Sequence, residues 1–269
     1  MTAASAREGL LAGKVALVSG IGPGMGRDIA LLFAEHGADL VLGARTLERC
    51  EAVGAEAEER GAKSLAVRLD ITDPDSCAEA VAAAVERFGR IDVLVNNAFH
   101  DGDFTRFLDA DLDSWRHTTE VNLWATLSLT QQVAAVMKEA GGGRVVMINS
   151  MSAVRIRDRF GAYSVSKAAL AAATKSLALE LGPHGIRVNA VHPGYIWGDS
   201  VEAYFRHQAE RRGITFEQRY DEVAGETALR YLPHSSEIAG TVLFLASDLA
   251  KPVTGQAVHV NCGHWFAGA

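Results

Sequence analysis

The stretch Val15-Ala16-Leu17-Val18-Ser19-Gly20-Ile21-Gly22-Pro23-Gly24-Met25-Gly26-Arg27 decides the fold. Its first half is short, apolar and β-branched, as in a strand buried on both faces. The segment 25–36 then carries helical apolar spacing. Glycines between a strand and a helix serve where the chain turns sharply and where backbone must approach a pyrophosphate. The helix N-terminus adds free N–H groups and the positive end of its dipole. The spacing is GxxxGxG rather than GxGxxG. By itself such a turn also reads as a plain loop; its place between a first strand and a first helix points to a nucleotide.

The same alternation continues outward. Apolar runs at Val15–Val18, Leu40–Leu42, Leu65–Val67, Ile91–Val95, Val145–Ile148, Val188–Val191 and Ala257–Val260 predict seven strands. Helical patterns lie at Met25–His36, Leu47–Arg60, Pro74–Phe88, Leu112–Ala140, Ala162–Leu181 and Ser236–Ala246. Asp73-Pro74 reads as an N-cap with proline at the first helical position. Gly37, Gly61, Gly89 and Gly182 stand where helices should stop. Strand–helix alternation predicts an α/β fold: a doubly wound, Rossmann-like parallel sheet with helices on both faces. No repeat or linker divides the chain, so residues 1–269 are expected to form a single domain. The charged, aromatic segment 198–232 interrupts the rhythm. It reads as a small helical lid over the carboxyl ends of the strands, or as a surface hairpin used for packing or oligomer contacts.

Composition bounds the function. With 48% hydrophobic and 22% charged residues, the 269-residue chain is an ordinary globular protein, not a disordered one. A net charge of −7 argues against nucleic acid as a partner. No apolar run approaches membrane-spanning length, and the start of the chain lacks the apolar core of a signal peptide. Cys50, Cys77 and Cys262 are scattered, which fits neither a disulfide framework nor a metal site. They read as small buried side chains in a reducing, cytoplasmic compartment.

The candidate chemistry lies in the second half. Tyr163 and Lys167 are spaced i, i+4 at a helix start and share one face. A free tyrosine ionises near pH 10 and is a poor base at neutral pH. A neighbouring ammonium is expected to lower that value toward a useful acid/base. Ser150 follows the fifth strand and reaches the same crevice, where its hydroxyl meets the same substrate oxygen. Ser152 is the alternative serine if the loop register shifts. At the end of the second strand no carboxylate is present to bind a ribose, and Arg45 follows directly. A guanidinium there clamps a 2′-phosphate, favouring NADP(H) over NAD(H); otherwise Arg45 is a solvated loop residue.

These motifs, in this order, resemble the short-chain dehydrogenase/reductase family over about Leu10 to Val260. Gly20, Gly24 and Gly26 match its glycine motif, with Ser19 where threonine is common. Asp70 matches its adenine-contacting acid, and Asn96-Asn97-Ala98 its NNAG motif. Asn122 matches the asparagine of its long central helix. Ser150, Tyr163 and Lys167 match its catalytic serine and YxxxK pair, and Pro193-Gly194 its PG turn. The resemblance implies a proton exchange by Tyr163, a substrate oxygen held by Ser150, and a nicotinamide ribose bound by Lys167. It implies a water anchored by Asn122. Ile21, Met25, Ile71, Ala98 and Ile196 complete the cofactor contacts it implies. The family is commonly tetrameric, so a homotetramer is expected. An enoyl reductase is disfavoured, because its tyrosine and lysine are spaced more widely. An extended-branch epimerase is disfavoured too, because little chain follows the segment 198–232.

Departures from the pattern mark the substrate pocket. Phe99 replaces glycine and reads as a substrate wall or a packed aromatic, with His100 beside it a loop residue. Gly198 stands where a threonine often bonds the nicotinamide carboxamide, with Ile196 backbone or Ser200 as substitutes. Tyr195 and Trp197 are bulky and, with Met151 and Ser152, suggest an apolar or aromatic substrate. Arg155, Arg157 and Arg159 read as surface charge or as a greeting for an acidic substrate. The apolar His264-Trp265-Phe266 reads as a subunit contact. The expectation is an oxidoreductase moving a hydride between a nicotinamide cofactor and a secondary alcohol or ketone. The alternative is a dinucleotide sensor of the same fold that has lost catalysis.

Overall fold

All seven expected strands pair into one parallel sheet. In the computed structural model, which describes residues 9–266, they are β1 (Val15–Ser19), β2 (Asp39–Ala44), β3 (Ser64–Arg68), β4 (Val93–Asn96), β5 (Gly143–Ile148), β6 (Ile186–Pro193) and β7 (Ala257–Val260). The two ends of the expected 1–269 domain lie outside the described residues. The sheet order is β3-β2-β1-β4-β5-β6-β7. Strand order reverses between β1 and β4, where Ser19 pairs with Asn96. Ligands of open α/β sheets bind beyond the carboxyl ends at such a switch point. The central strands are buried on both faces. β7 is half-exposed, because it closes the sheet edge and has a neighbour on one side only.

The helices divide into two layers. On one face α1 (Met25–Glu35), α2 (Leu47–Glu59) and α9 (Ser235–Ala246) pack Ile29, Phe33, Val53 and Val242 against the sheet. On the other, α3 (Pro74–Phe88), α5 (Thr126–Glu139) and α6 (Gly161–Leu181) pack Ala80, Leu129, Val133 and Leu170. Each face repeats apolar residues at helical spacing, which is why these segments fold only against the sheet. Asp73 caps α3 by accepting from Asp75 N. Gly37, Gly61 and Gly89 adopt the left-handed conformation where helices end. Gly182 does not: the chain runs on through a short turn, and Gly185 takes the left-handed position at φ 74°. Pro183 is tolerated there because the first turn of a helix has no N–H to lose.

The long helix expected over Leu112–Ala140 is interrupted. α4 (Leu112–Thr119) and α5 are joined by a π-helical turn at Glu120–Ala125. The cause is tertiary. The Asn122 side chain accepts from His100 N at 2.7 Å and donates to His100 O at 2.7 Å and to Ser166 Oγ at 3.0 Å. The widened turn presents Asn122 to the loop after β4 and to α6, and such turns recur at functional sites. The segment 198–232 forms α7 (Asp199–Arg212) and α8 (Phe216–Gly225), packed around Phe205, Val223 and Leu232. Cys50 and Cys77 are buried and Cys262 half-buried, all as free thiols. No described helix is long and apolar enough to cross a membrane, and no cluster of metal-ligating side chains occurs among the described residues.

Candidate active site

At the switch point the chain leaves a cavity of about 690 Å³. The glycine turn forms one end. Gly20 has φ 85° and lies against Asn97 and Ala98, and Asn97 Nδ2 donates to Gly20 O at 2.7 Å. Gly22 and Gly24 face open space, where an added Cβ would meet nothing within 4 Å. No side chain caps the start of α1, so its first N–H groups remain available to an anion. These observations fit a bound dinucleotide diphosphate over residues 22–26. Met25 lines this end, and Ile21 is buried beneath it. Ser19 is turned into the sheet and bonds Val95 O at 3.4 Å instead.

Arg45 and Asp70 lie together beyond the cavity, at the carboxyl ends of β2 and β3. Asp70 Oδ1 accepts from Thr72 N at 3.0 Å and Thr72 Oγ1 at 2.7 Å, which holds its carboxyl below the usual carboxylate range; the charges of Arg45 and Arg68 add to this. Ile71 is buried beside it. Arg45 is exposed and has no ion-pair partner among the described residues.

The reactive end gathers Ser150, Tyr163 and Lys167 on one wall. Ser150 Oγ accepts from Ser152 N at 3.1 Å, which leaves its own proton for Tyr163, its hydrogen-bond partner. Lys167 Nζ donates to Ile148 O at 3.0 Å and lies 5.6 Å from the Tyr163 ring centroid. The expected lowering of the tyrosine is not what the protein alone provides. Burial pushes the Tyr163 hydroxyl up to about 12, against the opposing Ser150 hydrogen bond, and the charge of Asp101 raises it further. Burial likewise brings Lys167 down to about 7. Desolvation outweighs the ammonium because Nζ is spent on a backbone carbonyl rather than on the phenol. Lys167 is therefore neutral in the folded chain from about pH 7 upward, while the unfolded chain keeps its ammonium to about pH 10. The unfolded state then binds more protons, so this group makes stability rise with pH across that window. Thermal unfolding from pH 6.5 to 9.5 is expected to show the rise in the wild type and a flatter profile in Lys167→Met.

The walls account for the remaining candidates. Phe99 is 61% exposed and lines the cavity, so it is a wall rather than packing. The His100 ring turns away and meets His117 edge-on at 4.9 Å. The Asn122 amide is spent on His100 and Ser166. Tyr195, Ile196 and Trp197 line the cavity with Pro193 and Gly194. Trp197 also seals α8 through Tyr220, at 4.7 Å between centroids. Met151 and Ser152 are buried and do not reach the cavity. Gly198 is extended, with open space at its Cβ position. Sequence reasoning missed Val201, His234 and Ser235, which also line it. Trp197 N donates to Pro233 O at 2.8 Å and draws the start of α9 to the mouth; no local pattern signals that contact. The tail docks on its own chain: His264 is buried and its Nε2 lies 2.9 Å from Glu226 Oε2. Trp265 and Phe266 stay partly exposed.

A dinucleotide cradle facing a serine–tyrosine–lysine wall at a switch point defines a nucleotide-dependent oxidoreductase. Residues 20–264 match a family model described as "Enoyl-(Acyl carrier protein) reductase". The chain is 35% identical over 260 residues to L-rhamnose 1-dehydrogenase (NAD(P)(+)) of Sphingomonas sp. (strain SKA58), covering 94% of this chain and 97% of that one. It is 37% identical over 262 residues to trans-4-hydroxycyclohexanecarboxylate dehydrogenase of Sinomonas cyclohexanicum, covering 94% and 93%. The solved structure of a 7α-hydroxysteroid dehydrogenase complexed with NADH and 7-oxo glycochenodeoxycholic acid matches with a TM-score of 0.86 at 32% identity, covering 94% of both chains. The chain belongs to the short-chain dehydrogenase/reductase family. It is a nicotinamide-dependent enzyme acting on CH–OH groups. The silent-sensor alternative finds no support among these relatives.

Proposed function

We propose that this enzyme interconverts a ring-bearing apolar secondary alcohol and its ketone, with NADP(H) preferred over NAD(H). The observation that carries the reading is the wall of Ser150, Tyr163 and Lys167 opposite Phe99, Tyr195 and Trp197. The nicotinamide supplies or accepts the hydride when bound. Ser150 holds the substrate oxygen through its hydroxyl. Tyr163 gives that oxygen its proton in reduction and takes it back in oxidation. Lys167, fixed by its bond to Ile148 O, would hold the nicotinamide ribose. Asn122 positions the Phe99–His100 wall and the start of α6 through its three bonds. The segment 198–232 acts as the lid of a single domain, because the first turn of α7 forms part of the cavity wall. Two relatives, named for a hydroxycyclohexanecarboxylate and a hydroxysteroid, act on ring alcohols, which supports the substrate class. Exposed Trp124, Val165 and Leu179 on the π turn and α6 support a subunit contact in a homotetramer. Light scattering measures that assembly.

Arg45 carries the cofactor preference. Its free guanidinium stands at the end of β2, where the 2′ position of an adenosine ribose falls. Tryptophan-fluorescence titration is expected to show tighter NADPH than NADH binding. Arg45→Ala is expected to erase about ten- to hundredfold of that difference, the worth of a charge-assisted hydrogen bond. An NADH preference, or a ratio indifferent to the substitution, overturns the clamp.

A further inference from the structure

Arg157 differs from its neighbours. Arg155 lies 3.5 Å from Glu226 and donates to His264 O at 3.3 Å. Arg159 lies 3.8 Å from Asp158, which also faces Arg106 at 3.5 Å. Arg157 has no ion pair or side-chain hydrogen bond among the described residues, although it is half-buried. Aromatic rings hold it instead. Its guanidinium carbon is 4.6 Å from the Tyr195 centroid and 5.8 Å from that of Phe160. Both rings are braced. Tyr195 meets Phe205 at 5.5 Å and stacks on His264 at 5.9 Å, and Phe160 meets Phe104 at 4.6 Å. Ring faces attract the cation but leave the N–H edge of the fork without acceptors. Neither Asp199, at the start of α7, nor Asp101 pairs with it, and Glu226, beside the His264 that stacks on Tyr195, is engaged by Arg155 and His264 instead.

Arg157 is not itself among the residues that line the cavity, but its platform Tyr195 is, so the guanidinium stands beside the cavity wall rather than inside it. A partly desolvated guanidinium with unfilled donors takes an anion, and its planar fork matches a carboxylate with two parallel bonds. We infer that Arg157 binds a carboxylate on the substrate. The substrates are then cyclic or aromatic hydroxy and keto acids. Their reacting oxygen meets Ser150 and Tyr163, their ring lies along Phe99 and Tyr195, and their acid group projects past Tyr195, out of the cavity, to Arg157. The inference rests on the functional reading above and adds a charge to its apolar substrate.

The test is the cofactor-linked reduction of 4-oxocyclohexanecarboxylate, 3-acetylbenzoate and 4-acetylbenzoate, each against its methyl ester. At least one acid is expected to exceed its ester in kcat/KM by about tenfold. In Arg157→Leu the acid-to-ester ratio is expected to fall about ten- to hundredfold, mainly through KM, with partial recovery in Arg157→Lys. A role confined to bracing Tyr195 lowers acid and ester alike, and an unchanged ratio overturns the proposal. Calorimetric binding of cyclohexanecarboxylate to the protein saturated with reduced cofactor gives a readout without turnover, and Arg157→Leu is expected to weaken it. Ketone reduction without acid preference sinks the Arg157 assignment and leaves the functional reading standing. Carboxylate binding that depends on Arg157, with no ketone reduced, supports the anion site and sinks the functional reading. Neither reduction nor binding overturns both.

Discussion

Tyr163→Phe is expected to lower turnover by about 10²–10⁴-fold while leaving the fold in place. The phenol is half-buried on the cavity wall and its hydroxyl bonds Ser150, so the substitution removes one oxygen and opens no new cavity. The stability change is expected to stay within about 1 kcal/mol. Initial rates with the preferred cofactor, beside a thermal melt, measure both quantities. A variant within tenfold of wild-type turnover would remove Tyr163 from the chemistry. The high setting of the isolated tyrosine makes the effect large. At neutral pH the hydroxyl keeps its proton, suited to donate it to a carbonyl oxygen and costly to ionise without further positive charge.

Gly20→Ala is expected to unfold much of the protein's margin. At φ 85° an L side chain is strained, and the added Cβ would lie 2.4 Å from Ala98 N and 2.6 Å from Ala98 Cα. Both contacts are backbone at the end of β4, so neither can step aside as a flexible side chain would. Backbone strain and overpacking each cost about 1–3 kcal/mol. Against a total stability of about 5–15 kcal/mol, this is a fall in Tm of roughly 5–15 °C. Gly22→Ala is the control: its Cβ meets nothing within 4 Å, so Tm is expected to hold while cofactor binding weakens. Equal melts for Gly20→Ala and wild type would show that the β1 and β4 ends part easily at the switch point.

The central sheet was legible because buried strands need unbroken apolar, β-branched runs, and little else produces them. The same physics explains why β7 reads as buried yet is half-exposed: its sequence records apolar contact, not the missing neighbour at a sheet edge. Helix ends were legible where a left-handed glycine was required, as at Gly61 and Gly89. Gly182 does end α6 as expected, but in a right-handed conformation, and the left-handed turn falls three residues later at Gly185. The π turn left no trace in the pattern of residues 112–140, since its cause is a bond from Asn122 to a distant loop. In the site, Ser150, Tyr163 and Lys167 converge as their spacing suggests, because strand end and helix start share the switch point. Their electrostatics were not legible, for desolvation depends on packing around them. His234 and Ser235 escaped notice for the same reason as the π turn: a long-range backbone bond brings them in.

The segment around His264 has a further role. Glu226, at the close of α8, meets both Arg155 and His264, and His264 stacks on Tyr195. One short tail thus ties the lid, the loop before Tyr163 and a wall of the cavity into a single brace. The reacting groups stand apart from this brace. A change at Glu226 or His264 is therefore expected to alter what fits beside Tyr195 while leaving Ser150, Tyr163 and Lys167 in place.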